Sequence, residues 1–132
     1  MQKLAKDLTV DLGADRPGAM AKATEAIAKA GINLEGFSES KGTLHALPED
    51  AASARRALEQ AGFKVGDERD VVVIDLEDRP GTAASVFRRI ADADVNVDFS
   101  YVGANNRMVV GAKEVKKLTE LFSVEPAGAS RK

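Results

Sequence analysis

The residues Asp-Arg-Pro-Gly occur twice in this chain, at positions 15–18 and 78–81. The second copy begins 63 residues after the first (78 minus 15), and a repeat at a fixed spacing constrains both copies to one local fold. No insertion is needed in this comparison. The repeat predicts two units, residues 1–67 and 68–126, followed by a disordered tail at 127–132. The same spacing aligns Asp7 with Asp70, Val10 with Val73, Ile27 with Ile90, Asn33 with Asn96, and Leu58 with Leu121.

Each copy begins with the pattern of a strand followed by a helix. Apolar and polar residues alternate over positions 8–12, which is typical of a strand with one buried face. Asp15 is expected to cap the helix, and Pro17 suits its first turn because proline has no N–H to leave unpaired. The alanine-rich residues 19–30 follow, and positions 83–90 repeat apolar residues at helical spacing in the second copy.

The rest of each copy predicts two more strands, a second helix and a last strand. The resulting order, β-α-β-β-α-β, is the ferredoxin-like arrangement, an α+β fold with helices on one face of an antiparallel sheet. The last strand of the second copy is expected to be short or missing, because Pro126 follows closely. The predicted elements are a second strand after each first helix, at 95–102 in the second copy, third strands at 43–47 and 107–110, and a short fourth strand at 63–65. Tight turns are predicted at 40–42 and 103–106, and second helices at 49–61 and 113–122.

Composition excludes several classes of protein. The 132 residues carry a net charge of −2 and include no cysteine, so disulfides, thiolate catalysis and cysteine-ligated metals are excluded. The single histidine, His45, is expected to be structural, because alone it cannot build a metal site. No signal peptide or membrane-spanning segment is visible, and we expect a cytoplasmic protein.

The two copies resemble the ACT domain. In both, a strand ends in DRPG, a helix of about four turns follows, and "GIN" or "DVN" opens the next strand. The resemblance covers nearly the whole chain and implies a stand-alone regulatory protein built from two ACT units. Such modules commonly bind amino acids, often at an interface between two domains. The resemblance therefore implies no enzymatic activity and no cofactor, with an amino acid as ligand and a homodimer as the assembly.

The turn also has chemistry suited to an amino acid. The first N–H groups of a helix lack partners inside the helix and attract a carboxylate. The glycine lets a ligand approach the backbone, and the aspartate can accept a hydrogen bond from an ammonium group. Together with the resemblance, this predicts a ligand-binding set at the two turns and the start of each second strand. The set is Asp15, Arg16, Pro17, Gly18, Ala19, Met20, Asn33, Leu34, Asp78, Arg79, Pro80, Gly81, Thr82, Ala83, Asn96 and Val97.

Other functions have less support in the sequence. Phe99 and Tyr101 could stack on RNA bases, since RNA-recognition modules share this topology. The third strands lack the basic and aromatic pattern of such modules, and the net charge is negative, so no nucleic-acid or membrane partner is expected. No nucleophile and base are visibly paired. The alternative to amino-acid sensing is an ACT-type structural, dimerisation or protein-interaction module without ligand.

Overall fold

The computed structural model describes residues 2–13 and 17–124, so the predicted tail at 127–132 lies outside the described residues. The chain divides into two compact units. The first unit is Lys6–Arg69, and the second combines described residues 2–5 and 70–124. The strands are β1 Gln2–Asp11, β2 Leu34–Ser40, β3 Thr43–Pro48, β4 Lys64–Asp75, β5 Phe99–Gly103 and β6 Arg107–Gly111. The helices are α1 Ala19–Lys29, α2 Ala51–Gln60, α3 Thr82–Asp92 and α4 Val115–Leu121.

The first unit has the strand order β2-β3-β1-β4. Only part of two of these strands belongs to it, namely residues 6–11 of β1 and residues 64–69 of β4. The pairs β1–β3 and β2–β3 are antiparallel, and Ser40 pairs with Thr43 across the turn predicted at 40–42. This two-residue turn is confirmed, because Lys41 and Gly42 both have the positive φ that such hairpins require. The core between strands and helices consists of Leu8, Val10, Leu12, Ala23, Ile27, Leu44, Ala46, Ala54, Leu58 and Val65.

The second unit repeats this arrangement with a strand taken from the start of the chain. Its order is β1-β4-β6-β5, with residues 2–5 of β1 beside residues 70–75 of β4. Residues 2–5 thus occupy the position of the fourth strand that the sequence leaves short after α4. Leu4 packs against the core of this unit. That core consists of Val72, Ile74, Ile90, Val95, Met108, Val110, Ala112, Leu118, Phe122 and Val124.

The two copies are not aligned by one constant spacing, contrary to the sequence comparison. In the first unit Val10 faces the helices and pairs with Leu44, whereas in the second unit Ile74 faces the helices and pairs with Met108. Val10 therefore corresponds to Ile74, 64 residues later (74 minus 10), and not to Val73. The first copy has one extra residue between its first strand and helix, and the second copy has one extra residue between β5 and β6. A one-residue slip matters because it moves every side chain of a strand to the opposite face.

Both DRPG helices begin at glycine, which corrects the expected aspartate cap. Gly18 and Gly81 are the N-cap residues, with φ of 92° and 93°, and no side chain caps either helix. The prolines lie just before the cap rather than in the first turn. Glycine tolerates this left-handed conformation because it has no Cβ. Each helix therefore begins at the glycine, and in the second unit Asp78 lies three residues before the cap.

Strand β5 is shorter than predicted. The alternation at 95–102 suggested a strand from Val95, yet pairing begins at Phe99, which lies opposite Gly111 at the end of β6. Strand β6 ends at Gly111, whose carbonyl accepts the Asp98 N–H at 2.8 Å. Residues 95–97 therefore lie beyond the ladder, and their alternation reflects burial. The predicted α+β fold of ferredoxin-like units is otherwise confirmed by the six strands and four helices.

Candidate functional site

The DRPG turn of the second unit borders a cavity of about 520 Å3, called here the second-unit cavity. The end of β4 forms one wall through Asp75 and Leu76. Opposite it lie Pro80, Gly81 and Thr82, where the turn enters α3. One and two helical turns further along α3, Ser85 and Arg89 extend the lining, as their spacing of four residues dictates. Gln2, from the start of β1, also lines this cavity.

The turn is held by its own hydrogen bonds. The Thr82 hydroxyl donates to the Glu77 carbonyl at 2.7 Å and lies 3.1 Å from the Arg79 carbonyl. The first bond within the helix runs from the Ser85 N–H to the Gly81 carbonyl at 2.9 Å. Because no side chain caps α3, the partial positive charge of its first turn is not offset by a capping oxygen. A carboxylate is the ligand group that suits this end of the cavity.

The charged side chains of the second-unit cavity have internal partners. Arg79 lies 3.0 Å from the Glu77 carboxylate, and both side chains are mostly exposed. Arg89 donates to the Leu121 carbonyl at 2.9 Å, and its guanidinium lies 4.6 Å from the centre of the Phe122 ring. Stacking on the ring fixes the plane of the guanidinium. Arg89 is therefore a positioned cation at the helix side of the cavity.

The turn of the first unit borders a similar cavity of about 450 Å3, called here the first-unit cavity. Pro17, Gly18 and Ala19 form its turn side, which corresponds to the turn side of the other cavity. Lys22 follows one helical turn along α1, and its ammonium lies 5.5 Å from the centre of the Phe63 ring. The further lining includes Asp11, Leu12 and Lys64. The same loop thus borders a cavity in both units.

The asparagines that follow the helices do not join these cavities within their own unit. Asn33 comes after the end of α1, whereas Gly18 precedes its start, and eleven helical residues span roughly 16 Å. Asn33 is exposed, and its carbonyl accepts the Glu49 N–H at 3.0 Å. Asn96 is also exposed and has the same place after α3. Strand polarity explains this separation, because consecutive elements of a unit run in opposite directions.

The predicted set therefore divides into three groups. Residues that line a cavity are Pro17, Gly18, Ala19, Arg79, Pro80, Gly81 and Thr82. Described residues outside both linings are Met20, Asn33, Leu34, Asp78, Ala83, Asn96 and Val97. Asp15 and Arg16 lie outside the described residues. Ligand binding by this set stays a prediction.

Several lining residues were missed from the sequence. Lys22, Ser85 and Arg89 lie four or eight residues beyond the glycine of their turn, so helical spacing could have identified them. Phe63 and Lys64 enter the first-unit cavity from the start of β4. Gln2 could not have been found by local patterns, because its place depends on which strand completes the second unit.

His45 has a structural contact away from both cavities. Its Nδ1 lies 3.0 Å from Oδ1 of Asp7, a carboxylate that is completely buried. Among residues 2–13 and 17–124, no group of three or more histidine, cysteine, aspartate or glutamate side chains could hold a metal ion. No helix in the described part of the chain is long and apolar enough to cross a membrane.

Comparison with known proteins identifies the fold. Protein BT0572 from Bacteroides thetaiotaomicron has a TM-score of 0.78 and 29% identity, over 91% of this chain and 87% of that chain. The ligand-free regulatory subunit of aspartate kinase from Thermus thermophilus has a TM-score of 0.67 and 20% identity, over 96% and 95%. Escherichia coli aspartokinase III in complex with lysine and aspartate has a TM-score of 0.59 and 17% identity, over 92% and 32%. No protein-family model matches the sequence, and no curated protein does either.

The fold is that of two ACT-type units in tandem, as the resemblance drawn from the repeat predicted. More particularly, its fold is that of the regulatory subunit of aspartate kinase.

Proposed function

We propose that this chain is a regulatory protein that senses a small molecule, an amino acid, through its two DRPG turns. One observation carries the proposal: the same turn, entering a helix without a side-chain cap, borders a cavity in both units. Cavities of roughly 300–1,000 Å3 are typical of small-molecule sites. The complex of aspartokinase III with lysine and aspartate supports amino acids as the ligand class.

The second-unit cavity offers partners for both charged ends of an amino acid. The ligand carboxylate would lie at the start of α3, beside Gly81 and Thr82, where helix N–H groups favour an anion. The ammonium would lie toward the carboxylates of Asp75 and Glu77 at the end of β4. Asp78, the residue favoured from the sequence for this contact, does not line the cavity.

A homodimer belongs to the same proposal. Asn96 cannot reach the cavity of its own unit, because α3 separates the two positions. If the second-strand asparagines contact ligand, they do so in a cavity of a different ACT unit, and this proposal places that unit in a second chain. Regulation then follows when the ligand binds one assembly state better than the other.

The proposal is tested by calorimetric titration with each of the twenty amino acids, using a pair of matched variants. Ser85 lines the second-unit cavity, whereas its neighbour Ala84 is equally exposed and does not. Ser85→Phe fills the cavity and is expected to abolish amino-acid binding there, while Ala84→Phe leaves it intact. Equal binding by both variants would contradict the proposal, and so would the absence of saturable heat from any amino acid with the unmodified chain. Either result would favour the alternative, an interaction module without ligand.

A further inference from the structure

The two cavities occupy equivalent places but differ in charge. Lys22 and Ser85 hold the same position on their helices, four residues beyond the N-cap glycine. The lysine ammonium is near the Phe63 ring at 5.5 Å, which holds it at the edge of the first-unit cavity. Lys64 adds a second ammonium to the same lining. The second-unit cavity has a small hydroxyl where the first-unit cavity has a cation.

The cations of the second-unit cavity are balanced within it. Its lining has two arginines, Arg79 and Arg89, and two carboxylates, Asp75 and Glu77, and Arg79 lies beside Glu77 at 3.0 Å. In the first-unit cavity the single described carboxylate is Asp11, whose Oδ1 accepts the Gly13 N–H at 2.8 Å. Among the described residues, neither Lys22 nor Lys64 forms an ion pair. The described lining of the first-unit cavity therefore carries an excess of positive charge.

We infer that the first-unit cavity selects a dicarboxylic amino acid. One carboxylate binds at the start of α1 beside Gly18, and the second binds the ammonium of Lys22, whose backbone lies about one helical turn further along α1. Lys64 adds attraction for the same anion, since it lines the same cavity. The inference rests on the proposed function, because that proposal is what makes the ligand an amino acid with an ammonium group. It adds that the first unit discriminates between amino acids, and that it does so through the positive charge of Lys22.

The test uses two-dimensional NMR, which reports the amides of each unit separately. The unmodified chain is titrated with L-glutamate, L-aspartate, L-alanine and succinate, a dicarboxylate without an ammonium group. The dicarboxylic amino acids are expected to shift the amides around Gly18 and Phe63 at lower concentration than L-alanine does. Lys22→Ser, which installs the residue of the second unit, is expected to weaken their binding about fivefold, as for loss of one exposed ion pair. Lys29→Ser, on the same helix but outside the cavity, leaves binding unchanged.

The outcomes separate this inference from the proposed function. If L-alanine binds the first-unit cavity as tightly as L-glutamate, or if Lys22→Ser and Lys29→Ser behave alike, the inference is wrong while amino-acid sensing stands. If succinate shifts these amides and no amino acid shifts any residue, the first-unit cavity is an anion site and the proposed function is wrong. If none of the four compounds shifts an amide, both are wrong.

Discussion

At the scale of single residues, Phe99 and Gly111 make the contact that leaves least room for substitution. They pair across β5 and β6, and the Phe99 ring lies over the glycine. A Cβ added at Gly111 would lie 2.4 to 2.8 Å from three atoms of that ring. The ring also stacks on Tyr101, with centroids 6.3 Å apart, so it cannot move away without losing that contact. An aromatic ring that covers a glycine on the facing strand is a recurrent device for fixing strand register.

We therefore expect Gly111→Ala to lower the free energy of unfolding by about 1–3 kcal/mol, the usual cost of overpacking. Gly66→Ala is the matched control. Its Cβ would meet only the Thr9 carbonyl oxygen at an ordinary 3.6 Å, so its effect should stay within about 0.5 kcal/mol. Urea unfolding of both variants measures the difference. Equal stabilities would show that the Phe99 ring moves freely, and Phe99→Leu should restore stability to Gly111→Ala if the contact is responsible.

At the scale of the element, helix α2 depends on a charged cap. Asp50 is its N-cap, and its carboxylate accepts the Ser53 N–H at 3.1 Å and the Ser53 hydroxyl at 2.8 Å. The bond from the Ser53 backbone N–H has the largest effect and the bond from its hydroxyl the next, and both hold the pKa of Asp50 below its ordinary value of 3.8. The charged form is therefore favoured in the folded state. Its contribution to stability is complete above pH 3.8 and is lost as the pH falls through the lowered folded pKa.

Asp50→Asn keeps a capping oxygen but removes the titration. We expect this variant to lose less stability than the unmodified chain when the pH is lowered from neutral to below the folded pKa of Asp50. Asp50→Ala should be less stable than both at neutral pH, because the cap is lost. Thermal unfolding across this pH range makes the comparison. Parallel pH profiles for the aspartate and asparagine forms would show that the cap charge does not contribute.

Strand β1 is the element whose role the sequence did not reveal. Its first residues belong to the second unit and its later residues to the first. Leu4 packs against the second core, and Leu8 is fully buried in the first. Replacing each leucine by alanine therefore compares the effect of one substitution on the two units, with both sites on the same strand.

We expect Leu4→Ala to cost about 1–2 kcal/mol, less than a fully buried leucine because Leu4 is only partly covered. Amide hydrogen exchange should show the loss of protection at residues 70–124. Leu8→Ala should instead reduce protection mainly within residues 6–69. If Leu4→Ala lowers protection equally in both units, residues 2–5 do not serve the second unit in particular.

At the scale of the whole molecule, we predict a homodimer formed through β2. The sequence predicted a short or missing last strand in the second copy, but residues 2–5 occupy that position. Within residues 2–13 and 17–124, the seven-residue strand β2 has only β3 as a hydrogen-bonding neighbour, and Phe37 on it is 52% exposed. An open edge with an exposed aromatic side chain favours pairing with another strand.

Phe37→Lys is expected to convert the dimer to a monomer, because a charge on the edge opposes pairing. Val102→Lys is the control, since Val102 is equally exposed on the shorter edge strand β5. Light scattering coupled to size exclusion measures the mass of both variants, with and without amino acids. A monomeric unmodified chain, or a dimer insensitive to Phe37→Lys, would contradict the prediction.

Much of the fold could be predicted because its signals are local. The alternation at 8–12, the alanine-rich stretch of α1 and the two-residue turn at 40–42 each express a preference set by a few neighbouring residues. The matching turns themselves were visible as repeated letters. The strand alignment was wrong because the extra residue of each copy falls in a turn, where length varies at little cost. The similar triplets Val-Asp-Leu at 10–12 and Ile-Asp-Leu at 74–76 were the available signal for the shift to 64 residues.

The sequence by itself determined that this chain is a duplicated α+β protein in which the first helix of each copy follows a glycine-containing turn. Periodicity and turn chemistry act over a few residues, so they are visible without knowing which distant segments meet. Only the tertiary structure decided that glycine rather than aspartate begins each DRPG helix, that residues 2–5 complete the second unit, and that Asn33 and Asn96 lie far from the turns of their own units. These features depend on which distant strands pair, and pairing is set by the burial of apolar faces that are remote in sequence.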